Sequence, residues 1–151
     1  MQNVLEAIPT FGVLFLVSAL AATILPGSSE VALLALVARE PQHILALTAT
    51  ATVGNTLGAS MNWCFGRWMV HCANRAWFPA TPKRLDQATD LFRRYGTWLL
   101  LFSWVPIVGD PLTVIAGALR VALPIFVLLT GIGKLARYLI LIGAWRGIQA
   151  M

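Results

Sequence analysis

The chain has 151 residues, 58% of them hydrophobic and 11% charged, with a mean hydropathy of +0.77. A water-soluble domain carries about 25% charged residues, so there is too little polar side chain here to coat a soluble surface. A net charge of +5 would suit nucleic acid, but six of the eleven Lys and Arg residues lie between Arg67 and Arg94, flanked by apolar runs. That is how the positive-inside rule marks a cytoplasmic loop, and with no soluble fold around the patch, nucleic acid is excluded as a partner.

Four apolar blocks follow in chain order. The first, 8–38, is interrupted at Leu25-Pro26-Gly27-Ser28-Ser29-Glu30. The second, 44–70, is continuous and rich in small residues, with Gly54-Asn55-Thr56-Leu57-Gly58 at its centre. This small-xxx-small pattern favours close helix packing. A polar stretch, 71–96, holds most of the cations and is expected on the cytoplasmic side. From Lys83 to Tyr95 it reads as an amphipathic helix with Leu85, Ala88, Phe92 and Tyr95 on one face, lying at the membrane surface or packed on the protein itself. The third block, 97–119, is broken at Pro106-Ile107-Val108-Gly109-Asp110-Pro111, and the fourth, 121–145, contains Lys134 and Arg137. Cys64 and Cys72, eight residues apart, are too distant on a helix for a disulfide and read as packing residues.

The two breaks match. Each has a proline followed four residues later by a carboxylate, Pro26 with Glu30 and Pro106 with Asp110. The half-segments beside them, about 8–15 apolar residues, are too short to cross a ~30 Å hydrocarbon core. Each broken block precedes an unbroken, glycine-containing one. The expected architecture is therefore an all-α integral membrane protein, a single membrane domain over residues 1–151. It consists of two inverted repeats, each a Pro/Gly-broken re-entrant hairpin followed by a transmembrane helix. Four full crossings are the alternative, which the near absence of a turn at Arg120-Val121 disfavours. Interrupted segments at corresponding places in two halves point to a transporter-type binding site.

The candidate site residues are those whose presence in apolar blocks is expensive. A charge at helix-centre depth costs roughly 2.5–3.5 kcal/mol on insertion scales, so Glu30, Asp110, Lys134 and Arg137 need partners, protons or water. An Asp110–Arg137 pair is expected, with Glu30 on Lys134 or on the same arginine, where the hairpin tips meet. The proline breaks the helix, Gly27 or Gly109 permits the reversal, and the acid then begins the returning half-helix, whose N-terminus favours an ionised carboxylate. Pro26, Gly27, Pro106, Gly109 and Pro111 are thus the break residues. These charges either handle a polar or anionic substrate or a proton, or staple two hairpins together. Asn55 either bonds between helices or lines the pathway. No Walker loop, zinc spacing or Ser-His-Asp set is visible, so no enzyme activity, metal or cofactor is expected.

The two breaks, Gly54-Asn55-Thr56-Leu57-Gly58, Arg94-Tyr95-Gly96, Ser103-Trp104-Val105-Pro106-Ile107-Val108-Gly109-Asp110, Ala116-Gly117 and Gly133-Lys134-Leu135-Ala136-Arg137-Tyr138 together resemble the YqaA-type branch of the DedA / SNARE-associated Golgi protein (VTT) superfamily. The resemblance covers nearly the whole chain and implies a bacterial inner-membrane protein with two opposed re-entrant loops. It also implies lipid movement of the flippase or scramblase kind. In that superfamily the cargo includes undecaprenyl phosphate and phospholipids, with proton-motive-force dependence in some bacterial members. The usual Arg-Phe-x-Pro-Gly-x-Arg pattern at the second break is absent. Ser103 and Gly109 stand at its arginine positions, so Lys134 and Arg137 of the fourth block are the cations left for an anionic group. A homodimer is expected because one such protomer is a thin wall around a pathway. A proton- or ion-coupled small-solute transporter and a non-transporting membrane assembly factor are the alternatives.

Overall fold

A computed structural model describes residues 2–22, 27–72, 90, 92, 94–105 and 109–149, with the backbone alone for 2–8, 70–72 and 110. Every regular element among them is helical: α1 (Gln2–Ala21), α2 (Ser28–Arg39), a 3-10 turn (Pro41–His43), α3 (Ile44–Cys72), a 3-10 arm (Gly96–Trp104), α4 (Gly109–Ala118) and α5 (Leu123–Gln149). They form two compact units. The first is Met1–Gly58 with Lys134–Met151, the second Ala59–Gly133.

In the first unit α2 starts at Gly27, whose backbone is left-handed at φ 97°, a conformation that costs glycine little and other residues more. The Glu30 and Val31 N–H groups bond the Gly27 carbonyl at 3.2 and 3.4 Å. At the other end Glu40 leaves the helix at φ −131° just before Pro41, because a residue preceding proline is pushed out of the α region. The axis turns by 119° between Ser28–Arg39 and Pro41–Met69. Thr48, Thr52 and Thr56 on α3 donate to the carbonyls four residues earlier, each at 2.7 Å, which satisfies the hydroxyls within the helix itself.

Crossing of α1 and α3 is set by Gly54 and Gly58. A Cβ at Gly54 would stand 2.5 Å from the Phe15 carbonyl oxygen, and one at Gly58 would strike the Ala19 carbonyl. Both helices therefore present residues four apart, and their backbones meet directly. The apolar core beside this crossing holds Leu14, Leu33, Val37, Leu47, Ala51, Tyr138 and Ile142.

The second unit uses the same device. Gly66 on α3 meets the Val114 carbonyl, Gly117 on α4 meets the Trp63 carbonyl, and Gly133 on α5 meets the Leu101 carbonyl of the 3-10 arm. That arm differs from the α-helical half-segment the apolar pattern suggests. At ~2.0 Å per residue its nine residues reach about 18 Å, against about 14 Å for an α-helix. Phe92 is buried in this core with Leu100, Leu112 and Phe126, while Asp90, Arg94 and Tyr95 are exposed. Phe92 thus packs on the protein's own apolar core, and Tyr95 does not join it. The rest of the expected amphipathic helix lies outside the described residues. Cys64, read from sequence as a packing residue, is exposed.

Arg120 closes α4. Its N–H bonds the Gly117 carbonyl and the Val121 N–H bonds the Ala116 carbonyl, both at 3.0 Å. This is the Schellman arrangement, which wants a left-handed residue at the first position past the cap, and Arg120 supplies it at φ 58°. Val121 packs on the core that contains Ala116, and its carbonyl accepts from the Trp63 indole N–H at 3.2 Å. Arg120→Gly should therefore raise stability by about 0.5–1 kcal/mol, read as a higher midpoint of denaturant unfolding in detergent.

Among the described residues α5 is the one helix both long and apolar enough to cross a membrane by itself; α2 and α3 qualify together as one bent span. With 29 residues α3 is long enough, but Thr48, Thr50, Thr52, Asn55, Thr56, Ser60 and Asn62 dilute its apolar character.

Candidate functional site

The first turn of α2, the middle of α3 and one face of α5 supply a polar cluster in the first unit. Lys134, Arg137 and Tyr138 follow at i, i+3 and i+4, the spacing that stacks side chains on one helix face. Asn55 comes directly after Gly54, so the close crossing with α1 fixes its height. Ser29 and Glu30 come directly after the left-handed Gly27.

Four of these residues are buried: Tyr138 is 1%, Ser29 2%, Lys134 5% and Asn55 7% exposed. The direction of their hydrogen bonds follows from chemistry. A lysine ammonium only donates, and Lys134 Nζ donates to Asn55 Oδ1. Asn55 must then turn its Nδ2 away, and that group donates to the Tyr138 hydroxyl at 2.7 Å and, more weakly, to Ser29 Oγ at 3.4 Å. Having accepted from Asn55, the Tyr138 hydroxyl donates to Ser29 Oγ at 3.0 Å. The result is a one-way chain from Lys134 through Asn55 and Tyr138 to Ser29.

Arg137 and Glu30 form an ion pair beside this chain. Their side chains are 19% and 22% exposed, so the pair is only partly withdrawn from the surface. The cluster is therefore graded, with an ammonium at the buried end and a guanidinium–carboxylate pair toward the outside. Chemically it can bind an oxyanion through two cations and an amide, or exchange a proton at the carboxylate.

Four of the residues singled out in the sequence, Glu30, Asn55, Lys134 and Arg137, are thus brought together. The carboxylate described on Arg137 is Glu30's, one of the two pairings the sequence offered for that acid. The Asp110 side chain lies outside the described residues; its backbone is in the first turn of α4. Pro26 and Pro106 also lie outside them. Pro111 is exposed near the start of α4, where a missing N–H costs nothing. Gly109 is helical, and what requires glycine there is its approach to the Ser103 carbonyl, a different demand from the left-handed turn at Gly27.

Ser29 and Tyr138 were not singled out. Tyr138 had a signal, four residues after a buried lysine on the same face. Ser29 had only its place beside Glu30. Tyr138→Phe should leave an Asn55 donor and Ser29 short of a partner and cost about 1–2 kcal/mol, measurable as a lowered unfolding midpoint in detergent with helicity unchanged.

The chain is 38% identical over 133 residues to the inner membrane protein YqaA of Escherichia coli strain K12, covering 88% of each, and matches the inner membrane protein YqaA of Shigella flexneri to the same extent. It is also 38% identical over 136 residues to a Haemophilus influenzae protein, covering 85% of this chain and 83% of that one. No solved structure matches it. The VTT domain family model matches residues 8–146. With the family pattern running through almost the entire chain, and the cluster of α2, α3 and α5 inside the matched region, the chain belongs to the VTT domain family of the DedA superfamily.

Proposed function

We propose that this inner-membrane protein is a small transporter of the lipid flippase or scramblase kind, which takes the anionic headgroup of a phospholipid or polyprenyl phosphate at Lys134, Arg137 and Asn55. Glu30 and Asp110 are its acids, open to proton coupling, and the two broken segments are re-entrant hairpins in inverted repeats. The observation that carries the reading is the convergence of Glu30, Lys134 and Arg137 with three buried polar side chains within one membrane domain. Ionisable groups inside a membrane domain are expensive and mark substrate or ion pathways. At the second break arm length supports the hairpin reading: the ten residues of α4 reach about 15 Å, half of the ~30 Å core.

The test is reconstitution in liposomes carrying a fluorescent phospholipid or a polyprenyl phosphate. Wild type should move the headgroup between leaflets. Glu30→Gln and Asp110→Asn, with folding intact, should slow it roughly tenfold or more, the scale of losing one hydrogen bond to a charged group. Uptake driven by a pH gradient without lipid movement would point to a small-solute transporter. No transport by wild type, with unfolding of both variants, would leave the charges as staples of an assembly factor. Light scattering of the purified protein tests the proposed homodimer.

A further inference from the structure

The Glu30–Arg137 pair stands at the less buried end of the cluster, with Lys134 at the closed end. A guanidinium in an apolar domain needs an anion, and its planar fork accepts a carboxylate or a phosphate equally well as a bidentate partner. Exchanging one anion for the other leaves Arg137 paired throughout, so the exchange avoids the large cost of a bare buried cation. Glu30 is the anion described on Arg137 and the one the exchange displaces. It is the most exposed of the charged groups in the cluster and sits three residues from Gly27, whose left-handed backbone begins α2. Next to Arg137, Lys134 lies one turn away on the same helix face. Asn55 holds its ammonium in place, and Tyr138 and Ser29 in turn fix Asn55.

From this geometry we infer that Arg137 and Lys134 form a binding site for a phosphate-class oxyanion in which Glu30 is the built-in competitor: the incoming anion takes Arg137 from Glu30, and Glu30 reclaims it when the anion leaves. The inference rests on the transport reading above and adds to it an opposite effect of one substitution on binding and on turnover. Glu30→Gln removes the competitor, so equilibrium binding tightens. It also removes the group that expels the anion, so transport slows. A residue that only bound substrate would lose both, and a residue that only held helices together would lose folding first.

The experiment uses the full chain in phosphatidylcholine nanodiscs, titrated with inorganic phosphate in one arm and enriched in phosphatidylglycerol in the other. Binding is followed by native mass spectrometry and calorimetry. Glu30→Gln should bind at least tenfold tighter than wild type, and Arg137→Gln should lose binding. Tightening in the phosphate arm alone assigns a free anion, and tightening in the phosphatidylglycerol arm alone assigns a headgroup; both uphold the site. Infrared difference spectra of wild type give a readout that needs no stable variant. Anion binding should shift a carboxylate band as Glu30 leaves its guanidinium. Equal or weaker binding by folded Glu30→Gln, or a wild-type carboxylate band unmoved by bound anion, overturns the inference even if wild type moves lipid. If wild type moves no lipid and binds neither probe, the transport reading fails as well.

Discussion

Asn55→Leu should destabilise the protein by about 3 kcal/mol, and adding Lys134→Met should recover most of that loss. The substitution keeps the forked shape of the side chain but removes the amide oxygen that Lys134 Nζ donates to. It also removes the two donors on Tyr138 and Ser29. Lys134 is 5% exposed, so water cannot replace that oxygen without rearrangement. Withdrawing one partner from a buried charge is costly, while replacing both partners by apolar groups of similar shape is often nearly neutral. The double variant thus separates the cost of withdrawing the Asn55 acceptor from a buried ammonium from the cost of lost packing. The measurement is the unfolding midpoint of both single variants and the double variant in the same detergent. If the double variant is no better than Asn55→Leu alone, the loss lies in packing around Asn55, and the account of Lys134 is wrong.

Gly58→Val should cost about 3 kcal/mol through overpacking, while Gly12→Ala should stabilise by about 0.5–1 kcal/mol. Both glycines lie within apolar helices, but only Gly58 belongs to the small-xxx-small pattern that the sequence marks for close packing. At Gly58 a Cβ would strike the Ala19 carbonyl and come within 2.8 Å of the Ala22 methyl. Neither backbone can yield without opening the α1–α3 crossing. At Gly12 a Cβ would meet nothing within 4 Å, so the change only improves helix propensity. Thermal unfolding followed by circular dichroism in detergent reads both. A small effect of Gly58→Val would show that the crossing is plastic.

The four charged or amide residues that converge in the first unit were chosen for one reason, that polar side chains in apolar blocks require compensation. That argument needs only hydropathy and is readable along the chain. Which partner compensates which is a different matter. Periodicity puts Lys134, Arg137 and Tyr138 on one face of α5 but does not say which face of which other helix meets it. Hence Glu30 had two candidate partners in sequence, Lys134 and Arg137, and only the structure shows it on Arg137. The 3-10 form of Gly96–Trp104 was equally hidden, because α and 3-10 helices draw on the same apolar residues.

What the amino-acid sequence determined by itself is the solvent this chain is built for, its helical class, its family and the short list of groups that a bilayer makes expensive. All of these follow from composition and local pattern, which hold whatever the tertiary arrangement. Tertiary structure alone decided that Gly66, Gly117 and Gly133 must remain glycine, that Tyr138 and Ser29 complete the chain from Lys134, and that of its two candidate cations Glu30 takes Arg137. Each of those depends on two segments far apart in sequence arriving at one place. Close backbone approach and hydrogen-bond direction exist only once they have arrived.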